Sequence, residues 1–404
     1  MADSPVPRPH YGGHFSLPQL ARAAVYHAHG YPADATFEVI PTELPLGSSH
    51  AVAAGAWWAV EHASRGATNT AFVAWAAQRA ASMGVDGQAV TSLLTEPLHA
   101  EVEAPHAGTA LPLGAPLFQI TGPIAQLVLR MDRFQTVLSL GFGSATRAAA
   151  LCKAADGCSV IDDASIHHPD PETSSFLAWC GRVGGFSGTT HTTAGWQWEL
   201  PVVGVPSEHS KLCNLGDAMI PADDLHAAVA GLVRRTTKSS VVLKRVCLDH
   251  EVTDETDLDR LQQLRRALNR YGHRRVRICA RVAPTPEAVA TVTKSAAPVD
   301  ILILSSPWWG AASTACVPLT LPGELPAEAR NPASRGPRQR RQLHRDGNQI
   351  SLQPWGSTGL LHPLYSPRLP LPVVPVLLSR RSPLRASVHA EMLVPPDSSK
   401  VTGR

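Results

Sequence analysis

"LPVVGVPSEHSKLCNLGD", Leu200 to Asp217, is the stretch on which the reading of this chain turns. An apolar, strand-like run, Pro201-Val202-Val203, breaks at Gly204 and leads into Glu208-His209-Ser210. A buried strand that surfaces into a polar loop gives that pattern. So does a barrel strand whose carboxyl end presents a nucleophile or a proton carrier. Spacing alone leaves His209 open as a phosphate acceptor, a proton shuttle or an ordinary loop histidine.

The flanking sequence narrows the setting. Short apolar runs, "CSVID", "SVVLKRVCL", "RRVRICARV" and "VDILILSS", read as strands, with helices such as "ADDLHAAVAGLVRR" and "DLDRLQQLRRALNRYG" between them. That alternation indicates βαβ units and a parallel sheet, open or closed into a barrel. Chemistry in such folds gathers in the loops that follow the strands, which is where "PSEHS" stands. Further upstream, "PLFQITGPIAQLVLRMDRF" predicts a strand ending at Gly122-Pro123 and then an amphipathic helix. "GSATRAAALCKAADG" predicts a second helix stopped by Gly157. Toward the amino end, "ATFEVIPTELP" reads as a strand and "SSHAVAAGAWWAVEHASR" as a helix capped by Ser49. "NTAFVAWAAQRAASMG" reads as a helix closed by Gly84. The resulting organisation is a flexible lead over 1–20, an α/β domain over 21–112, a barrel-like domain over 113–316, and a Pro/Arg-rich tail over 317–404. The density of proline predicts extended or poorly ordered structure in that tail.

Composition sets limits on partners. At 404 residues the chain can bury a large core. A net charge of +3, from 36 Lys+Arg against 33 Asp+Glu, argues against nucleic acid or an acidic membrane as partner. The basic cluster Arg335 to Arg345 reads as a solvated tail. The amino terminus lacks the apolar core of a signal peptide, and no run approaches the ~18 apolar residues of a membrane span, so a cytoplasmic protein is expected. Seven cysteines without CxxC spacing predict reduced thiols. The 18 histidines fall in no HExxH or paired-ligand pattern, so no protein-held metal is expected.

Three further segments are candidates for chemistry. "GGFSGTTHTTAG", Gly184 to Gly195, combines glycines with a row of hydroxyls; it can bring N–H groups and side chains onto a phosphate or a polar ring, or serve as a turn before a helix. "DDASIHHPD", Asp162 to Asp170, suits substrate or metal, or a capped turn. Arg147 suits an anion, or is a surface charge on a helix.

Taken together, residues from about Ala115 to Gly204 resemble the nicotinate and nicotinamide phosphoribosyltransferases. "APLFQITGPIAQL" is similar to the family's strand with a Gly-Pro ending that runs into a long helix, and "RFQT" and "SATRAAAL" to the helix pair that follows. "RVGGFSGTTH" resembles the nicotinate branch's "YIGGFDGTSN", and "AGWQWELPVVG" its "AGxxxxIPVVG". "YHAHGYP" with "TFEV" is similar to the early substrate-contacting segment. In these enzymes the strand ending in PVVG leads to a histidine phosphorylated by ATP, and the nicotinamide branch has "VPAAEHS" there. "VPSEHS" matches it, so the resemblance implies His209 as phosphohistidine with Glu208 beside it.

The resemblance further implies an α/β fold, an irregular (β/α) barrel of the type II phosphoribosyltransferase kind with a smaller α/β domain. It implies ATP and Mg2+ as cofactors, a pyridine carboxylate and phosphoribosyl pyrophosphate as substrates, and a homodimer in which Tyr26, His27 and Tyr31 reach across. Substrate contacts are implied for Tyr26, His27, Arg147, Asp162, His167, Gly188, Thr189, Thr190 and Arg281. Thr189-Thr190-His191 replaces the aspartate that takes the amide in the nicotinamide branch, which favours nicotinate. The chain departs from the family at "DFGxR", where Asp163 stands for the ring-stacking aromatic and Ile166 or His167 for the arginine. Arg281 alone matches "RxDSGD", and "LILSSPWWG" offers Ser305, Ser306 and two indoles in place of glycine-rich phosphate loops. The alternatives are a transferase for another heteroaromatic such as nicotinamide, or a non-catalytic relative that binds a ligand or partner.

Overall fold

The computed structural model describes residues 15–28, 34–63, 69–207, 216–221, 224–238, 242–295, 297–320, 341–346, 349–354 and 361–365. The chain divides into two compact units. One is Met1–Leu44, Ser49–Gly143 and Ala311–Ser387; the other is Pro45–Ser48, Ser144–Gly310 and Val388–Arg404.

The first unit opens with α1 (Leu17–Ala28), β1 (Asp34–Pro41) and β2 (Ala51–Val52). Three helices follow, α2 (Ala56–Ala63), α3 (Thr70–Ala81) and α4 (Gly87–Thr95), and then β3 (Glu101–Ala104), β4 (Ala110–Leu111) and β5 (Phe118–Pro123). The helix expected to start at Ser49 starts at Ala56 instead, and the Ser49 hydroxyl bonds to His50 Nδ1 at 3.1 Å. The reason is local: Ala51–Val52 pairs as β2 with β4, and Gly55 at φ 90° lies in the left-handed region that glycine tolerates. Asn69 and Asp86 cap α3 and α4 as short polar residues do.

α5 (Ile124–Ala154) is one 31-residue helix where the sequence suggested two. No proline interrupts it, and Gly141 and Gly143 are buried beside Phe142, Leu138 and Ala145. Burial of a large apolar side chain contributes about 1.5–3 kcal/mol, more than the roughly 1 kcal/mol that a helical glycine costs. The helix ends before Asp156 and Gly157, both at positive φ.

The second unit continues with β6 (Ser159–Asp162), α6 (Pro171–Val183), β7 (Gly188–Thr189), α7 (Thr192–Trp198), β8 (Asp217–Ile220) and α8 (Leu225–Lys238). It is completed by β9 (Arg245–Val252), α9 (Glu255–Arg270), β10 (Arg277–Val282), α10 (Pro286–Lys294) and β11 (Ile301–Leu304). These strands form a six-stranded sheet in the order β7-β6-β11-β10-β9-β8, parallel throughout. β11, "ILIL", is buried at every position, as strands of a sheet covered on both faces are. The fold class is therefore α/β with a parallel sheet, as expected. "LPVVGV" contributes a single bridge residue, Val202 against Thr189, because Pro201 and Pro206 have no N–H to donate to a ladder. Among the described residues Val202 and β8 do not pair, so the sheet is open there.

On one face of the sheet Ile161, Cys247, Cys279, Ile301 and Ile303 form an apolar cluster, against which Val203 and Val205 pack. The Val202–Val205 run is thus held by its side chains as well as by its bridge.

From residue 314 on, the described residues other than Leu361 are strands. β12 (Thr314–Thr320) pairs with β1, β13 (Arg341–Asp346) with β14 (Gln349–Pro354), and β15 (His362–Tyr365) with β3. The first unit's main sheet is therefore antiparallel, in the order β12-β1-β5-β3-β15. Within it the fully buried Glu38 accepts from Gln119 Nε2 at 2.9 Å.

Candidate functional site

The carboxyl ends of the parallel strands place a set of polar side chains in the second unit. At the end of β6, Asp162 is 1% exposed and its carboxylate is occupied by the protein's own donors. Oδ1 accepts from Ala164 N (3.1 Å), Ser165 N (2.9 Å) and the Trp308 indole N–H (2.9 Å). Oδ2 accepts from the Ser165 and Thr189 hydroxyls. Asp162 therefore anchors the 3-10 turn Ser165–His167, and Asp170 caps α6 through Thr173 N at 2.9 Å. "DDASIHHPD" is a doubly capped turn. His167 and Ile166 stand exposed on it, and His168 is half-buried with Nδ1 3.2 Å from Asp170 N.

The loop after β7 is tied to the same aspartate. Thr190 N donates to the Asp162 carbonyl (2.9 Å), and His191 N to the Thr189 hydroxyl (3.1 Å). Thr189 is buried and Thr190 half-buried. His191 caps α7 by accepting from Ala194 N at Nδ1 (3.3 Å); burial lowers its pKa, opposed by the Asp162 charge. Gly188 is fixed by close packing: a Cβ there would stand 2.7 Å from Val203 Cγ2 and 2.8 Å from the Pro201 carbonyl.

A polar layer lies one step beyond the apolar cluster. Residues two apart on a strand share a face, so Asp163 follows Ile161, Arg281 follows Cys279 and Ser305 follows Ile303. The Ser305 hydroxyl donates to Asp163 Oδ2 at 3.1 Å. Arg281 donates to the Pro206 carbonyl at 3.0 Å, from the end of β10 to the segment that carries Val203 and Val205. Burial pushes the Cys247 thiol up to about 11; Arg281 opposes it, and Asp249 and Asp163 add to it.

Sequence reading missed the turn after β9. Asp257 is 3% exposed and accepts from Thr253 N (3.0 Å), His250 Nε2 (2.7 Å) and Arg260 Nη1 (2.9 Å), while His250 Nδ1 contacts Asp249 at 3.1 Å. Burial alone would raise the Asp257 carboxyl, but these donors hold it well below the usual carboxylate range. Burial works against the His250 imidazolium, yet its bonds to Asp257 and Asp249 outweigh that and raise its pKa. The available signal was "LDHEVTDETDLD", acids and a histidine at a strand end ahead of a helix. Among the described residues no group of three or more His, Cys, Asp or Glu is arranged to hold a metal ion.

The residues after β11 resolve the place of the two indoles. Trp308 is 2% exposed and folded against Phe186 edge-to-face at 4.7 Å. Trp309 is half-buried and meets His168 at 6.0 Å between ring centroids. Gly310 N donates to Ser144 Oγ at 3.3 Å, and a Cβ on Gly310 would stand 3.2 Å from Nε of the exposed Arg147. In the first unit Tyr26 is 3% exposed within the packing of α1, whereas His27 is exposed. Glu208, His209 and Tyr31 lie outside the described residues. No helix among the described residues is long and apolar enough to cross a membrane.

Comparison with solved structures bears directly on this architecture. Nicotinate-nucleotide pyrophosphorylase from Pyrococcus furiosus aligns with a TM-score of 0.67 and 16% identity over 94% of this chain and 94% of that one. Human nicotinic acid phosphoribosyltransferase aligns with a TM-score of 0.63 and 18% identity, again over 94% of each chain. The chain has the fold of these two proteins. The type II architecture implied by the sequence resemblance is therefore the one found, at identities that speak to fold. No protein-family description matches the chain. No curated protein matches it in sequence.

Proposed function

We propose that the chain is a phosphoribosyltransferase that joins a pyridine carboxylate to phosphoribosyl pyrophosphate, giving the mononucleotide and pyrophosphate, in the supply of NAD. The observation that carries this reading is the position of Pro206. Its segment is fixed at the carboxyl edge of the sheet by the Val202 bridge, by Val203 and Val205 on the apolar cluster, and by Arg281 on its carbonyl. Two residues later the sequence gives Glu208-His209-Ser210. The likeness in fold to two nicotinate-handling proteins supports the same reading.

In this proposal the ring nitrogen of the base attacks the anomeric carbon of the sugar as the bond to pyrophosphate breaks, and the pyrophosphate leaves with the electron pair. Positive charge that develops on the sugar and negative charge on the leaving group both need fixed partners. Asp163 and Arg281 supply one of each sign at this edge, and the Thr190 hydroxyl supplies a donor. Magnesium would come with the pyrophosphate substrate, whose negative charge it offsets. The His209 imidazole, next to Glu208 in sequence, would accept a phosphoryl group from ATP with ADP as the leaving group, and the added charge would act on the pyrophosphate site. Asp162, Thr189 and Gly188 act by positioning the loop, and His167 and His27 remain as exposed cation candidates. A homodimer accompanies the reading.

A second reading is a ligand-binding relative without turnover. Asp163 in the place of a stacking aromatic, and the Trp308-Trp309 pair in the place of a glycine loop, favour it. Incubation with radiolabelled ATP separates the two. The transferase reading requires acid-labile phosphate on the wild-type chain and none on His209→Ala; a wild-type chain that takes up no label and releases no pyrophosphate with any pyridine acid supports the ligand-binding reading.

A further inference from the structure

The parallel sheet has a second polar edge, at the amino ends of its strands. Between Leu261 and Arg277 the sequence gives six arginines and one histidine with no Asp or Glu. The net charge of +3 is a sum over the chain and conceals this segregation. The fold gathers these residues where α9 turns back into β10. Gly272, at φ 82°, with Gly272 N donating to the Asn269 carbonyl (3.1 Å) and His273 N to the Leu268 carbonyl (2.9 Å), closes the helix in a Schellman turn. Arg265 pins that turn, donating to the Arg274 carbonyl at 3.4 Å and to Asp300 at 3.3 Å. Arg277 N donates to the Lys244 carbonyl at 2.9 Å, which brings Lys244 beside the start of β10.

Lys244, Arg270, Arg274, Arg275 and Arg277 are all exposed. The unit's ion pairs run from Arg245, His250, Arg260 and Arg265 to Asp217, Asp249, Asp257 and Asp300, so these cations have no carboxylate partner among the described residues. Tyr271 stands among them at the tip of the turn, 42% exposed. α9 keeps Leu261, Leu264, Ala267 and Leu268 buried, so its outer side has no apolar stripe with which to enter a bilayer. Unneutralised cations around one solvent-facing aromatic ring match a chain of phosphodiesters that carries unstacked bases.

We infer that this edge binds single-stranded nucleic acid, with Lys244, Arg270, Arg274, Arg275 and Arg277 on phosphates and the Tyr271 ring stacked on one base. A duplex fits it less well, because paired bases do not present a face to a ring at the tip of a turn. The surface lies at the opposite ends of the strands from Asp163 and Arg281, so it stands independently of the transferase reading.

The test is fluorescence anisotropy of the full chain with a labelled single strand of mixed sequence and about 12 nucleotides, made as RNA and as DNA, over a range of salt. Tyr271→Ala should weaken binding about tenfold with the wild-type salt dependence, and Tyr271→Phe should restore it. Arg270→Gln combined with Arg274→Gln and Arg275→Gln should weaken binding and lower the slope of log affinity against log salt by about 2. Both variants should keep the wild-type urea midpoint, since the substituted side chains are exposed. A wild-type chain that binds neither strand at low salt overturns the inference, as does Tyr271→Ala with wild-type affinity. Equal displacement by a duplex or by heparin, charge for charge, reduces the edge to a general cation surface and also overturns it. Binding to phosphatidylserine vesicles without binding to either strand assigns the edge to lipid and overturns it as well.

Discussion

Arg281 Nη2 donates to the carbonyl of Pro206 at 3.0 Å, across 75 positions of sequence, and so joins the carboxyl end of β10 to the segment that precedes Glu208 and His209. Arg281→Ala should reduce stability by only about 0.5–1.5 kcal/mol, the net value of one hydrogen bond. Its effect on turnover should be larger, a fall in kcat of about 10–100-fold, because a shift of an ångström in a reacting group is that expensive. Urea unfolding and steady-state kinetics on the same variant check the contrast.

Gly188 supports the same segment from the other side. A methyl group at this position meets Val203 Cγ2 at 2.7 Å and the Pro201 carbonyl at 2.8 Å, so Gly188→Ala must push the Pro201–Val203 run off β7. The expected cost is about 1–3 kcal/mol of overpacking, measured as a lower urea midpoint.

The turn after β9 sets a pH dependence. His250 has a raised pKa in the folded chain, so its contribution is complete below the unfolded value of about 6.5 and is lost as pH rises through the folded value. Asp257 has a lowered pKa, so its contribution is complete above about 3.9 and is lost as pH falls through the folded value. The charges that face His250 are Asp249 and Asp257, with Arg260 also on Asp257. Denaturation midpoints at about pH 6 and pH 8.5 should fall further for wild type than for His250→Gln. Equal changes would show that the imidazolium contributes nothing.

The parallel sheet was legible because β6, β9, β10 and β11 are short apolar runs separated by amphipathic helices, a pattern that burial on both faces imposes. The single long α5 was not, since Gly141 and Gly143 imitate a break that their packing removes. β8, "DAMI", was too short and mixed to signal a strand, and it exists because its edge pairs with β9. At the site, Asp162, Gly188 and Thr189 were singled out through the resemblance; what sequence could not show is that they also cap a turn, pack closely and bond a buried carboxylate. Trp308 read only as an indole in place of a glycine loop, because sequence cannot show that it turns inward to Asp162, 146 positions away. The polar layer of Asp163, Ser305 and Arg281 was equally hidden, as it depends on strand order.

The account stands or falls on bond formation at the anomeric carbon of the sugar. The direct measurement mixes the full chain with phosphoribosyl pyrophosphate, nicotinic acid, magnesium and ATP, and follows mononucleotide and pyrophosphate together. Equimolar appearance of both, dependent on the acid, is the predicted result. A chain that releases neither, under conditions where it remains folded and binds the sugar substrate, contradicts it.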